Sequence, residues 1–83
     1  MSKQQAWLLI DDDDAFLQVL QRSLGRQGIE AQLAHGHQEA KTALLRGTFH
    51  RCVLDLNLAG ESGLQLLPEL LDMNPDLEIL VLT

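Results

Sequence analysis

The stretch AWLLIDDDDAFL, residues 6–17, decides the fold. Five apolar residues run without a polar break and then meet four consecutive aspartates. A short segment that is apolar on both faces reads as a buried strand of a parallel sheet. Behind it Phe16, Leu17, Leu20 and Leu24 recur at helical spacing, with Gln18, Gln21 and Arg22 between them. Asp13 or Asp14 can start that helix by accepting bonds from its free backbone N–H groups, and acids suit the positive end of its dipole. Gly28 is placed to end it. The unit is a strand, an acidic turn and a helix. Asp11 and Asp12 remain, gathered at a strand end where like charges repel.

The rest of the chain repeats the alternation. EAQLA (30–34) reads as a weak strand and HGHQ (35–38) as a turn. EAKTALLR (39–46) reads as a short helix with Ala40, Ala43 and Leu44 on one face, closed by Gly47. RCVLDL (51–56) is a second apolar strand that carries Asp55, and NLAGES (57–62) is a loop. GLQLLPELLDM (63–73) has helical leucine spacing through Leu64, Leu67 and Leu71; Pro68 removes one of its backbone bonds and should bend it, and Asn74-Pro75 stops it. LEILVL (77–82) is a further apolar strand. The order β-α-β-α-β-α-β predicts an α/β fold, a doubly wound parallel sheet with helices on both faces and right-handed crossovers. Ligands of such sheets bind beyond the carboxyl ends of the strands, where the strand order reverses.

Composition narrows the function. The 83 residues suffice for one small domain, and 46% hydrophobic with 4% aromatic residues implies an aliphatic core. Twelve acidic residues against six basic ones give a net charge of −6, which argues against nucleic-acid binding by this chain, because phosphate contacts need Lys and Arg. The apolar runs are too short to span a membrane, and no secretory leader is visible. A single cysteine, Cys52, excludes an internal disulfide; together these features fit a cytoplasmic protein.

If the first and third strands are neighbours, Asp11, Asp12, Asp55 and Thr83 converge on one edge of the sheet. Three carboxylates at close range cannot all stay ionised without compensation. A hard divalent cation supplies it, and magnesium favours a few carboxylates together with water and phosphate oxygens. Beside such a cation the Asp55 carboxylate could attack phosphorus, and Thr83 could donate to a phosphoryl oxygen.

With IDD (10–12), LDLNL (54–58), ESGLQLL (61–67) and LVLT (80–83) in this order, the chain resembles the receiver domain of bacterial two-component response regulators. The resemblance implies a flavodoxin-like sheet, with residues 1–83 forming the N-terminal portion of a (βα)5 receiver that ends after the fourth strand. It implies that Asp55 accepts a phosphoryl group from a sensor histidine kinase and is itself no enzyme beyond that transfer. Magnesium would be held by Asp11, Asp12, Asp55 and the backbone carbonyl of Asn57, with Thr83 as the switch hydroxyl. The output would be transcriptional and would lie outside this chain. AHG (34–36), LDLNL and ESGLQLL are similar to the redox-responding DNA-binding regulators. The family's fifth strand, last two helices and phosphoryl-contacting lysine have no counterpart here; Lys3 and Lys41 stand elsewhere, and Ala59 replaces a usual proline. Weak phosphorylation is therefore expected. LEILVL would be an exposed edge, so a homodimer or a strand-exchanged oligomer is expected as well.

Other readings compete. An EF-hand counted from Asp11 fails, because its sixth position is Phe16 and its twelfth Arg22. A haloacid-dehalogenase-like phosphatase would need a second acid where Asn57 stands. A pseudo-receiver would use the same fold only to bind proteins. The H-x-H of His35 and His37 reads as surface polarity, His50 as a residue before a strand, Cys52 as a small core residue and Trp7 as packing on the sheet.

Overall fold

The computed structural model describes residues 5–58 and 60–82. Strand β1 (Gln5–Ile10) leads into helix α1 (Asp14–Gly25), β2 (Ile29–Ala34), α2 (His37–Arg46) and β3 (Arg51–Asp55). A two-residue pair, β4 (Asn57–Leu58) and β5 (Glu61–Ser62), precedes α3 (Gly63–Met73) and β6 (Glu78–Leu82). The main sheet is parallel in the order β2-β1-β3-β6. The order reverses between β1 and β3, which is the switch point of a flavodoxin-like sheet.

Alternation along the strands divides the core between two faces. Leu8, Ile10, Cys52 and Leu54 point to one face, where they pack with Ala40 and Ala43 of α2 and with Leu66 and Leu70 of α3. Leu9 and Val53 point to the other and pack with Leu17 of α1, with Leu20 and Leu24 partly buried beside them. Cys52 is fully buried, and burial pushes its thiol up to about 12. No helix among the described residues is long and apolar enough to cross a membrane.

Local chemistry explains the boundaries. Asp13 is the N-cap of α1, and its carboxylate accepts from the Phe16 N–H. Ser62 does the same for α3 through the Gln65 N–H. Asn74 ends α3.

Several expectations change. Helix α1 stops at Gly25, three residues early, and Gly28 instead takes the positive φ (80°) of the turn into β2. Helix α2 begins at His37, so the expected turn is shorter. Residues 57–62 are not a plain loop: Asn57 pairs with Ser62 and Leu58 with Glu61, antiparallel. Helix α3 is rotated relative to the expected face. Leu66 and Leu70 are buried and Leu67, one of the three expected, packs partly buried beside them, while Leu64 is 63% exposed and Leu71 39%. Five leucines in eight residues fit two stripes, and the close approach of Gly63 to β3 selects one. A Cβ on Gly63 would collide with the Asp55 carbonyl oxygen and the Leu56 backbone. Phe16, assigned to the apolar face of α1, is 41% exposed. Ala59 and Thr83 lie outside the described residues.

Candidate functional site

The carboxyl ends of β1 and β3 lie side by side, because Ile10 pairs with Leu54 in register. The next residue on each strand is an aspartate. Asp11 follows Ile10, and its N–H donates to the Ala34 carbonyl of β2 (3.1 Å), which continues the sheet by one residue. Its carboxylate turns back to accept from the Asp13 N–H at 2.9 Å. Asp12 is thereby left exposed beyond the strand end. Asp55 is the last residue of β3; it is half-buried and accepts from the Asn57 N–H at 3.1 Å.

Asp11, Asp12 and Asp55 each offer a carboxylate oxygen, and these oxygens all lie within 4.8 Å of one another. Like charges at such range repel by about 1–4 kcal/mol per pair, depending on the effective dielectric. Asp11 carries this repulsion as the smaller part of a shift. Its carboxyl is raised above the ordinary 3.8, chiefly because burial removes it from water, and further by the charges of Asp55 and Asp12; the Asp13 N–H works in the opposite sense. Three oxygen donors with no sulfur or ring nitrogen among them form a hard set, suited to magnesium or calcium rather than zinc. The residues present therefore fit a divalent cation. Asn57 is exposed and follows Asp55 by two residues, so its backbone lies beside the cluster.

A second constellation shares this edge. His35 Nε2 lies 2.7 Å from Asp14 Oδ1, and His35 Nδ1 lies 2.8 Å from Glu39 Oε1. A protonated ring donates to both, so His35 ties the start of α1 to the start of α2. Glu39 first, then Asp14, pushes His35 above its ordinary 6.5. His35 is thus a polar residue at the surface, as read, but one engaged by two carboxylates. The i, i+4 spacing to Glu39 was visible in the sequence; the partner 21 residues away, Asp14, was not. His37 is also engaged: its Nε2 lies 2.8 Å from the Ser62 carbonyl oxygen. His50 Nδ1 accepts from the Ala6 N–H at 3.0 Å. Lys41 pairs with Glu69 at 3.1 Å, away from the acidic cluster.

A parallel sheet with order 2-1-3 and clustered acids past its first and third strands defines a class: small α/β domains that work at their strand ends. Residues 7–83 match the response regulator receiver domain. The chain belongs to that family. It is 31% identical over 83 residues to the response regulator protein PilR of Pseudomonas aeruginosa, covering 100% of this chain and 18% of that one. It is 30% identical over 83 residues to the photosynthetic apparatus regulatory protein RegA of Rhodobacter capsulatus, covering 100% of this chain and 45% of that one. Among solved structures it resembles a Burkholderia pseudomallei response regulator with a phosphorylated aspartic acid and a calcium ion. There the TM-score is 0.90 at 37% identity, over 94% of this chain and 46% of that chain. It also resembles TrrA of Thermotoga maritima, solved in complex with Mg(2+)-BeF, with TM-score 0.83 and 26% identity over 92% of this chain and 66% of that chain. The chain thus spans less than half of the curated relatives it matches. Those relatives include transcriptional regulators.

Proposed function

We propose that this chain is the phosphoacceptor portion of a two-component response regulator, with Asp55 as the residue that takes the phosphoryl group. The observation that carries the reading is the convergence of Asp11, Asp12 and Asp55 within 4.8 Å at the sheet's switch point. Asp11, Asp12, Asp55 and the Asn57 carbonyl would hold Mg2+, which when bound offsets negative charge on the transferring group. The donor is a phosphohistidine of a sensor kinase. An Asp55 carboxylate oxygen forms a bond to phosphorus as the nitrogen–phosphorus bond breaks, and the electron pair leaves with the imidazole. The product is an acyl phosphate on Asp55. Its added charge and acceptor oxygens bias a two-state equilibrium, with Thr83 as the hydroxyl that answers. Asn57, two residues after Asp55, has no ionisable group to act as acid or base in turnover of a phosphate monoester.

The site reading extends to the wider protein. The similarity to the alginate biosynthesis transcriptional regulatory protein AlgB supports a transcriptional output, and the stretches AHG (34–36), LDLNL (54–58) and ESGLQLL (61–67) support one of the redox-responding kind; a cytoplasmic setting goes with that role. The exposed apolar side chains of Leu80 and Val81 support self-association through β6.

Titration calorimetry with Mg2+ tests the site. One cation should bind the wild type, and Asp12→Asn should weaken binding about tenfold or more, as loss of a charged oxygen ligand does. Equal binding by the two chains would contradict the assignment.

A further inference from the structure

Helix α2 begins on Gly36, which offers no side chain to cap it. The cap comes from another element. Glu61, on β5, places Oε1 at 3.1 Å from the His37 N–H and accepts its bond. The carboxylate also faces the positive end of the helix dipole. The seat is tight: a Cβ on Gly36 would stand 2.7 Å from Glu61 Oε1. A second tie runs back, since His37 Nε2 is 2.8 Å from the Ser62 carbonyl oxygen and its N–H donates there. Two adjacent residues of β5 are therefore fastened to the first residue of α2.

What β5 holds is the site. Its partner strand β4 begins at Asn57, which pairs with Ser62, and Leu58 pairs with Glu61. Asn57 in turn donates its N–H to the Asp55 carboxylate. The remaining end of the hairpin is fixed by the Gly63 N–H, which donates to the Leu56 carbonyl at 3.1 Å. Leu58 anchors the hairpin in the core, 1% exposed. The backbone at Asn57 is thus positioned from one side by Gly63 and from the other by Glu61.

We infer that Glu61 is a positioning residue for the cation site: by capping α2 from β5 it holds the hairpin that presents the Asn57 carbonyl. This rests on the reading of Asp11, Asp12, Asp55 and Asn57 as the cation's ligands. Glu61 touches neither the cation nor the phosphoryl group; it acts through the backbone of β4.

Mg2+ binding measured by calorimetry on the whole chain tests the role with three variants. Glu61→Ala removes the cap and should weaken binding about tenfold, the low end for groups that orient a ligand. Gly36→Ala should weaken it similarly, because the new methyl displaces the Glu61 carboxylate. Its φ of −174° is extended and open to alanine, so this variant keeps every hairpin side chain and carries the test even if Glu61→Ala is poorly folded. Glu61→Gln retains the accepting oxygen and should stay within about twofold of the wild type. Wild-type affinity in both Glu61→Ala and Gly36→Ala would overturn the inference and leave the site standing. A Glu61→Gln as weak as Glu61→Ala would overturn it too, because charge rather than the cap would then govern binding. Failure of the wild type to bind Mg2+ would instead overturn the ligand assignment, and the inference with it.

Discussion

At the scale of the residue, the run of four aspartates divides into separate tasks. Asp11 and Asp12 face the strand-end cluster, Asp13 caps α1, and Asp14 reaches His35. The last of these gives a pH dependence. His35 is raised above 6.5, so its contribution is complete below that value and is lost as pH rises through the raised one. Glu39 and Asp14 are held below their ordinary 4.5 and 3.8 by the ring, so their part is complete above those values and is lost as pH falls through the lowered ones. The windows overlap between 4.5 and 6.5. The stability gap between wild type and His35→Gln should be widest there and should narrow at alkaline pH, measured as thermal midpoints across pH. A gap that does not change with pH would contradict the clamp. Its size is limited by exposure, since all three side chains are solvent-accessible.

The same residues show what a sequence can carry. Asp13 as a cap is a local matter, set by three residues of chain, and is legible. Asp11, Asp12 and Asp55 become legible together because hydrophobic patterning places each at the end of a strand. The His35–Asp14 and Glu61–His37 contacts join segments 21 and 24 residues apart through exposed side chains. No periodicity encodes such contacts, and only the folded edge reveals them.

At the scale of the element, α3 is the informative case. Its bounds, Gly63–Met73, match the sequence reading, yet its buried face does not. Leucine spacing alone leaves its rotation open by about one residue, and backbone contact at Gly63 fixes it. Leu66→Ala should cost about 2–5 kcal/mol, because Leu66 is fully buried and a cavity would remain. Leu64→Ala should stay within about 0.5 kcal/mol of wild type, as exposed substitutions do. Urea unfolding of both variants reads the difference, and the reverse ranking would place the face where the leucine spacing first put it. The β4–β5 pair escaped sequence reading for a different reason. Two-residue strands carry no alternation, so NLAGES looks like any polar turn.

At the scale of the whole molecule, the sheet is covered unevenly. Strand β6 pairs with β3 on one side, and no other described strand pairs with its outer edge. Leu80 is 60% exposed and Val81 38%, so apolar residues stand on both faces of this edge. A groove of about 310 Å³ runs beside it between Trp7, Arg51, Val53 and Leu80, with Arg51 stacked on Trp7 at 5.5 Å. Long apolar edges are templates for pairing. Light scattering of this chain at high concentration should report a dimer, and Leu80→Lys should shift it toward monomer. A wild type that stays monomeric would contradict pairing through β6.

The proposed phosphoryl acceptance would join the three scales: acids placed by strands, strands ordered by the fold, and a site at their reversal. The most direct measurement is intact mass after prolonged incubation with Mg2+ and acetyl phosphate, with fragmentation to locate any modification. The wild type should gain one phosphoryl group on Asp55, and Asp55→Asn should gain none. No adduct on the wild type, or the same adduct on Asp55→Asn, would contradict Asp55 as the acceptor.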